Sequence, residues 1–180
     1  MKICIYGAAR DEIPPVYLRR AEEFGHMLVR RGHSLIFGGG AYGVMGAVAR
    51  GVVAEGGEVV AVTPEFLNRG ADLAPGCARV IRTPDLAERK RLFGELADAF
   101  VVLPGGIGTL DEYYEMYELA SFGKLEKPVI LYNMEGYYDL IDEMNRRFVD
   151  QGFLPPERAA ASRTCTEPEQ VLDAVELFYR

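Results

Sequence analysis

Short apolar runs alternate along this chain with longer stretches in which apolar residues recur every three or four positions. The runs Lys2 to Tyr6, Ser34 to Phe37, Glu58 to Val62, Ala78 to Arg82, Ala99 to Leu103, Lys127 to Tyr132 and Ala159 to Cys165 predict strands. The run at Ala99 reads as buried on both faces of a sheet. Helical spacing covers Pro14 to Arg31, where Tyr17, Leu18, Ala21, Phe24 and Leu28 share one face. It returns in a stretch ending near Glu55, and over Leu86 to Leu96, Leu110 to Phe122, Tyr137 to Asp150 and Glu167 to Tyr179. Strand and helix alternate without a linker or internal repeat, which predicts one α/β domain over residues 1–180, a doubly wound, mostly parallel sheet of about seven strands. Only Thr63 to Gly76 lacks periodicity, and long loops of this kind serve as lids or binding loops.

Three predicted strands run into glycines, at Gly7, at Gly38 to Gly43 and at Gly105 to Gly108. Ligands in open sheets bind beyond the carboxyl ends of the strands, near the reversal of strand order, so these loops should gather on one edge. The stretch Val101 to Glu112 is the most informative. Pro104 stops its strand, Gly105, Gly106 and Gly108 permit turns that a Cβ would forbid, and a helix restarts. The first turn of that helix offers free N–H groups and the positive end of a dipole, so a phosphate could approach the bare backbone, with Thr109 adding a hydroxyl. Thr109-Leu-Asp-Glu112 also fits a capping box, in which Glu112 reaches back to the N-cap amide. A carboxylate used as a cap is not free for a substrate, so two readings of Glu112 compete. Gly38-x-Gly40-x-x-Gly43 follows the second strand rather than the first, and no acidic residue closes the next strand, which makes it a weak dinucleotide fingerprint. No G-x-x-x-x-G-K-[ST] occurs, and close packing explains Gly46.

Composition narrows the class. With 49% hydrophobic and 26% charged residues the chain is a globular protein, and a formal charge of −7 argues against a general nucleic-acid binder. Arg79, Arg82, Arg89, Lys90 and Arg91 nonetheless crowd one stretch. Cys4, Cys77 and Cys165 are odd in number and far apart, so neither a disulfide framework nor a zinc site is indicated. No apolar run is long enough for a membrane span or a signal peptide, and the expected location is the cytoplasm. His26 and His33 lack a partner ligand and are expected at solvent or a helix end. Tyr113, Tyr114 and Tyr117 share a helical stripe that points to core or subunit interface rather than to base stacking.

Three segments together carry a resemblance: Gly38-Gly-Gly-Ala-Tyr-Gly-Val-Met-Gly46, Glu88-Arg89-Lys90, and Pro104-Gly-Gly-Ile-Gly-Thr-Leu-Asp-Glu112. In these the chain resembles the Lonely Guy family of cytokinin riboside 5′-monophosphate phosphoribohydrolases, often mislabelled lysine decarboxylase. The likeness runs over about residues 2 to 150. It implies a Rossmann-like fold, a homodimer, and hydrolysis of AMP or an N6-modified AMP to free base and ribose 5-phosphate, with a nucleoside monophosphate as the small-molecule partner and no metal or organic cofactor. Arg89 and Glu112 match the catalytic pair of the family. Gly105, Gly106, Gly108 and Thr109 match its phosphate loop and Lys90 the neighbouring basic position, and Gly39 and Gly40 of the first motif are expected with them to bind substrate or phosphate. A fixed carboxylate suits this chemistry, since breaking a ribosyl C–N bond builds positive charge on the sugar, and Arg89 nearby would keep that carboxylate ionised. The chain departs from the family in two places. Its first strand ends Tyr6-Gly7-Ala8-Ala9-Arg10 where the family has Cys-Gly-Ser-Ser, and Leu86-Ala87 replaces Met-His before Arg89.

Overall fold

The strand β1 (Lys2–Tyr6) is buried from Ile3 onward and takes the centre of the sheet. In the computed structural model, which describes residues 1–67 and 70–180, β1 pairs parallel with β2 (Ser34–Phe37) on one side and β5 (Ala99–Val102) on the other. The flank beyond β2 is completed by β3 (Val59–Pro64) and β4 (Arg79–Thr83), and the flank beyond β5 by β6 (Val129–Tyr132) and β7 (Ser162–Cys165). The order is β4-β3-β2-β1-β5-β6-β7, with every neighbouring pair parallel. The chain winds outward from β1 in one direction and then returns to wind outward in the other. Strand order therefore reverses between β1 and β5, the position where such sheets open a crevice.

Alternation along the strands divides the core in two. Ile3 and Ile5 face a cluster with α1 (Pro15–Arg30), α2 (Gly43–Ala54) and α7 (Pro168–Leu177), built from Phe24, Leu28, Val48, Val52, Val171 and Val175. Cys4 and Tyr6 face the opposite cluster, where Phe93 of α3 (Leu86–Leu96) and Tyr113, Met116 and Tyr117 of α4 (Ile107–Ser121) pack on Phe100 and Val102. Beyond these, α5 (Asp139–Asp150) and the four-residue α6 (Pro156–Ala159) lie near the edge of the sheet. No residue of either is buried.

Most boundaries shift from the sequence expectation by a residue or two, α5 for instance starting at Asp139 rather than Tyr137, and three differences change the local structure. α4 begins at Ile107, not Leu110, because its N-cap is Gly106. α6 takes Pro156 to Ala159, so β7 starts only at Ser162. The connection after β3 is displaced rather than shortened, since the strand runs on to Pro64, β4 starts only at Arg79, and a single turn of 3-10 helix forms at Gly70–Asp72. Asn68 and Arg69, inside the expected loop, lie outside the described residues. Among the described residues no helix is long and apolar enough to cross a membrane, and no three His, Cys, Asp or Glu side chains cluster as metal ligands.

Candidate active site

A cavity of about 440 Å³ opens at the reversal point, and all three glycine loops reach it: Gly7 to Arg10 after β1, Gly38 after β2, and Pro104 to Thr109 after β5. Ile13, Pro14, Tyr17, Met45 and Tyr137 add an apolar and aromatic wall. Chain order alone makes the loops converge, because they follow parallel strands that lie side by side.

The loop after β5 leads straight into α4, whose N-cap Gly106 supplies no side-chain cap. The amides of its first turn are left over by helix geometry, and they carry the positive end of the dipole. The start of α2 differs: Gly43 N–H donates to Asp11 Oδ1 (2.7 Å) and Met45 N–H to Ala8 O (3.1 Å). Of these two termini, that of α4 keeps its donors open among the described residues. The glycines there serve a different purpose from the one expected, since none of Gly105, Gly106 and Gly108 has a positive φ. Gly105 is required because a Cβ would collide with the Thr109 side chain, whereas Gly106 and Gly108 leave open space at the cavity. A positive φ is instead found at Gly43 (65°), where a Cβ would lie 2.5 Å from Ala8 O.

Glu112 stands one helical turn beyond Gly108 and Thr109 on α4, so its carboxylate shares their face. With α4 starting at Ile107 no capping box forms, and Glu112 is paired instead with Arg89 Nη2. Arg89 reaches it from α3, which Asp85 caps by accepting from Glu88 N–H (2.8 Å). The Arg89 guanidinium lies over the Phe93 ring at 5.7 Å, and its Nε is buried with no hydrogen-bond acceptor among the described residues. Burial pushes the Glu112 carboxyl up to about 7, while Arg89 pulls it down. Desolvation outweighs the guanidinium, contrary to the expectation that Arg89 would keep the carboxylate fully ionised. Glu112 is thus poised to exchange a proton near neutrality.

Of the residues singled out in the sequence, the structure brings Arg89, Glu112, Gly105, Gly106, Gly108 and Thr109 around one cavity. Lys90 turns the other way and pairs with Asp111 (3.0 Å) and Glu115. Gly39 and Gly40 do not line the cavity; Gly39 O accepts from Ala74 N–H (2.9 Å), and Gly40 forms a β-bridge with Leu73. The basic stretch is largely neutralised locally, as Arg91 pairs with Glu88 and Glu95. Tyr113 and Tyr117 are buried in the core. His26, partly exposed, faces Glu55 (3.0 Å), and His33, whose N–H closes the end of α1 on Leu28 O (3.0 Å), turns its ring to Glu176 (3.1 Å). Ala8 and Ala9 do line the cavity, so the missing hydroxyls are missing there, and Arg10 adds an exposed cation beside them; Leu86 and Ala87 lie outside it. Sequence reasoning overlooked Tyr137, although the rule that sites form beyond strand ends, applied to β6, would have reached it.

The fold and the site define a parallel α/β protein with an open helix terminus beside a buried carboxylate–guanidinium pair. A sequence profile for a family described as possible lysine decarboxylase matches residues 45–175. The cytokinin riboside 5′-monophosphate phosphoribohydrolase LOG7 of Arabidopsis thaliana is 36% identical over 155 residues, which cover 86% of this chain and 71% of that protein. LOG5 of the same plant, which bears the same enzyme name, is 30% identical over 98% of this chain and 78% of its own length. The molybdenum cofactor binding protein of the phototrophic bacterium Rippkaea orientalis shares the fold at 19% identity, with a TM-score of 0.76 over 99% of this chain and 97% of that one. The chain belongs to the Lonely Guy family of phosphoribohydrolases, the group whose profile carries the decarboxylase description.

Proposed function

We propose that this protein hydrolyses the N-glycosidic bond of a nucleoside 5′-monophosphate, AMP or an N6-modified AMP, to free base and ribose 5-phosphate. The observation that carries this reading is a buried Arg89–Glu112 pair in the same cavity as an uncapped helix N-terminus. A 5′-phosphate on the first turn of α4 would fix the ribose above Glu112, so that binding energy from a group that does not react positions the one that does. Ionised Glu112 takes a proton from a water molecule as the water oxygen bonds to C1′. The electron pair of the C1′–N bond leaves with the base, which acquires a proton, and one water is consumed. The same carboxylate faces the positive charge that develops on the sugar. Arg89, with donors still unspent, holds sugar or phosphate oxygens.

Decarboxylation through a lysine Schiff base fits poorly, because no lysine lines the cavity and Lys127 spends its ammonium on the carbonyls of Gly94 (2.7 Å) and Ala97 (2.6 Å). A second reading, a binding module without turnover, is favoured by Ala8 and Ala9 on the cavity wall. One experiment separates them: incubation with AMP and with N6-isopentenyladenosine monophosphate, following base and ribose 5-phosphate by chromatography, with Glu112→Gln alongside. The hydrolase reading expects base release that falls at least about 100-fold in the variant while nucleotide binding persists. Saturable binding without release in the wild type would establish the binding module.

The working unit in this reading is a homodimer in the cytoplasm. The outward apolar face of α5 supports the dimer, and three free cysteines suit a reducing compartment.

A further inference from the structure

The loop that leads into α4 is held by its carbonyls. Three successive backbone oxygens accept hydrogen bonds from outside the loop: Leu103 O from the Tyr138 hydroxyl (2.7 Å), Pro104 O from Ala8 N–H (3.0 Å) and Gly105 O from the Tyr137 hydroxyl (2.9 Å). A trans peptide carries its C=O and the following N–H on opposite sides, so fixing one carbonyl fixes the direction of the next amide. Tyr137 thereby sets the N–H of Gly106. Gly105 N–H turns to the Tyr138 hydroxyl, and from Gly106 through Thr109 no backbone N–H has a protein acceptor among the described residues. Gly106 has no side chain to anchor its peptide, and Tyr137 lines the cavity beside it.

The turn that presents the two tyrosines is itself strained and tightly held. Glu135 has φ 52°, the only positive value at a non-glycine among the described residues, and Gly136 follows at 71°. Arg20 grips Glu135 from α1, Asn133 Oδ1 accepts from Tyr138 N–H (2.7 Å), and Asn133 Nδ2 donates to Asp139 Oδ1 (2.7 Å). Strain of this kind persists where the surroundings over-determine it, and it gathers at functional sites. Here its effect is to deliver adjacent tyrosine hydroxyls to carbonyls two residues apart.

We infer that Tyr137 is a positioning residue for the reaction proposed above: its hydroxyl holds the Gly105–Gly106 peptide so that Gly106 N–H, and not Gly105 C=O, meets the substrate phosphate. This rests on the phosphate role given to the loop. Without the hydroxyl the peptide is free to flip and to place a carbonyl oxygen against an anion.

Tyr137→Phe keeps the ring and its edge contact with Tyr17 (centroids 5.7 Å) and removes only the donor. Calorimetric titration with ribose 5-phosphate should show Kd raised about tenfold, the size of one hydrogen bond to a charged group. The KM for AMP should rise in parallel with kcat little changed, and the affinity for adenine should stay the same. A merely structural role would weaken adenine and ribose 5-phosphate together. Arg20→Gln, which frees Glu135 from outside the cavity, should move ribose 5-phosphate affinity in the same direction by less. Unchanged ribose 5-phosphate binding in Tyr137→Phe, an equal loss of adenine, or no binding of ribose 5-phosphate by the wild type overturns the inference. The titration needs no turnover, so it stands apart from the fate of the hydrolase reading. A wild type that releases base from AMP, beside a Tyr137→Phe that binds ribose 5-phosphate normally, removes the role of Tyr137 alone.

Discussion

At the scale of single residues, Glu112 is a carboxyl almost wholly withdrawn from water. Its carboxyl lies at about 7 in the folded chain against the usual 4.5, so between those values the native state binds a proton that the unfolded state releases. Stability linked to this group is complete below about 4.5 and is lost as the pH rises through about 7. Glu112→Gln imitates the protonated form at every pH. The thermal midpoint of the wild type should therefore fall relative to that of the variant between pH 5 and pH 8, and parallel curves would show that Arg89 and not burial governs the carboxyl. Activity should run the other way, rising through about pH 7 as the carboxylate forms. The residue most at odds with its spacing in the sequence is this same glutamate. Thr109-x-x-Glu112 spells a capping box, but the true cap is Gly106, whose signal is the lack of any side chain. Arg89 and Glu112 themselves lie 23 residues apart, and their meeting is set by the sheet rather than by local pattern.

At the scale of elements, β1, β2, β3 and β5 are legible because each is a short apolar run closed by glycine or proline, and parallel order follows from the helices between the strands. What is not legible is what each glycine does at a helix start. The open terminus of α4 makes this testable. Gly106→Ala adds a Cβ where no protein atom lies within 4 Å, at φ −96° and ψ −152°. The variant should fold as well as the wild type, or gain about 0.5 kcal/mol from a stiffer unfolded chain, while its KM for nucleotide rises. Gly105→Ala drives a Cβ into Thr109 and should cost about 2 kcal/mol in urea unfolding, as overpacking does. If Gly106→Ala keeps its KM, the phosphate does not sit on this terminus. The turn after β6 escaped notice for a related reason, since Tyr137 acts on a carbonyl 32 residues away.

At the scale of the whole molecule, the anomaly is α5. Leu140, Met144 and Phe148 repeat every four residues and form one apolar stripe, yet no residue of the helix is buried. Leu140 is 78% exposed, and Phe153, just past the helix, 82%. A stripe regular enough to seat a helix in a core but left outside it is the kind of patch that meets another subunit, and a homodimer would cover it twice through one isologous contact. Sizing chromatography should give twice the 20.0 kDa of one chain. Leu140→Glu combined with Phe153→Glu should reduce that to a monomer with its circular dichroism intact, because both side chains contribute nothing to the core of the isolated chain. A wild type that elutes at 20.0 kDa would remove the dimer. A double variant that stays dimeric would move the contact to another face.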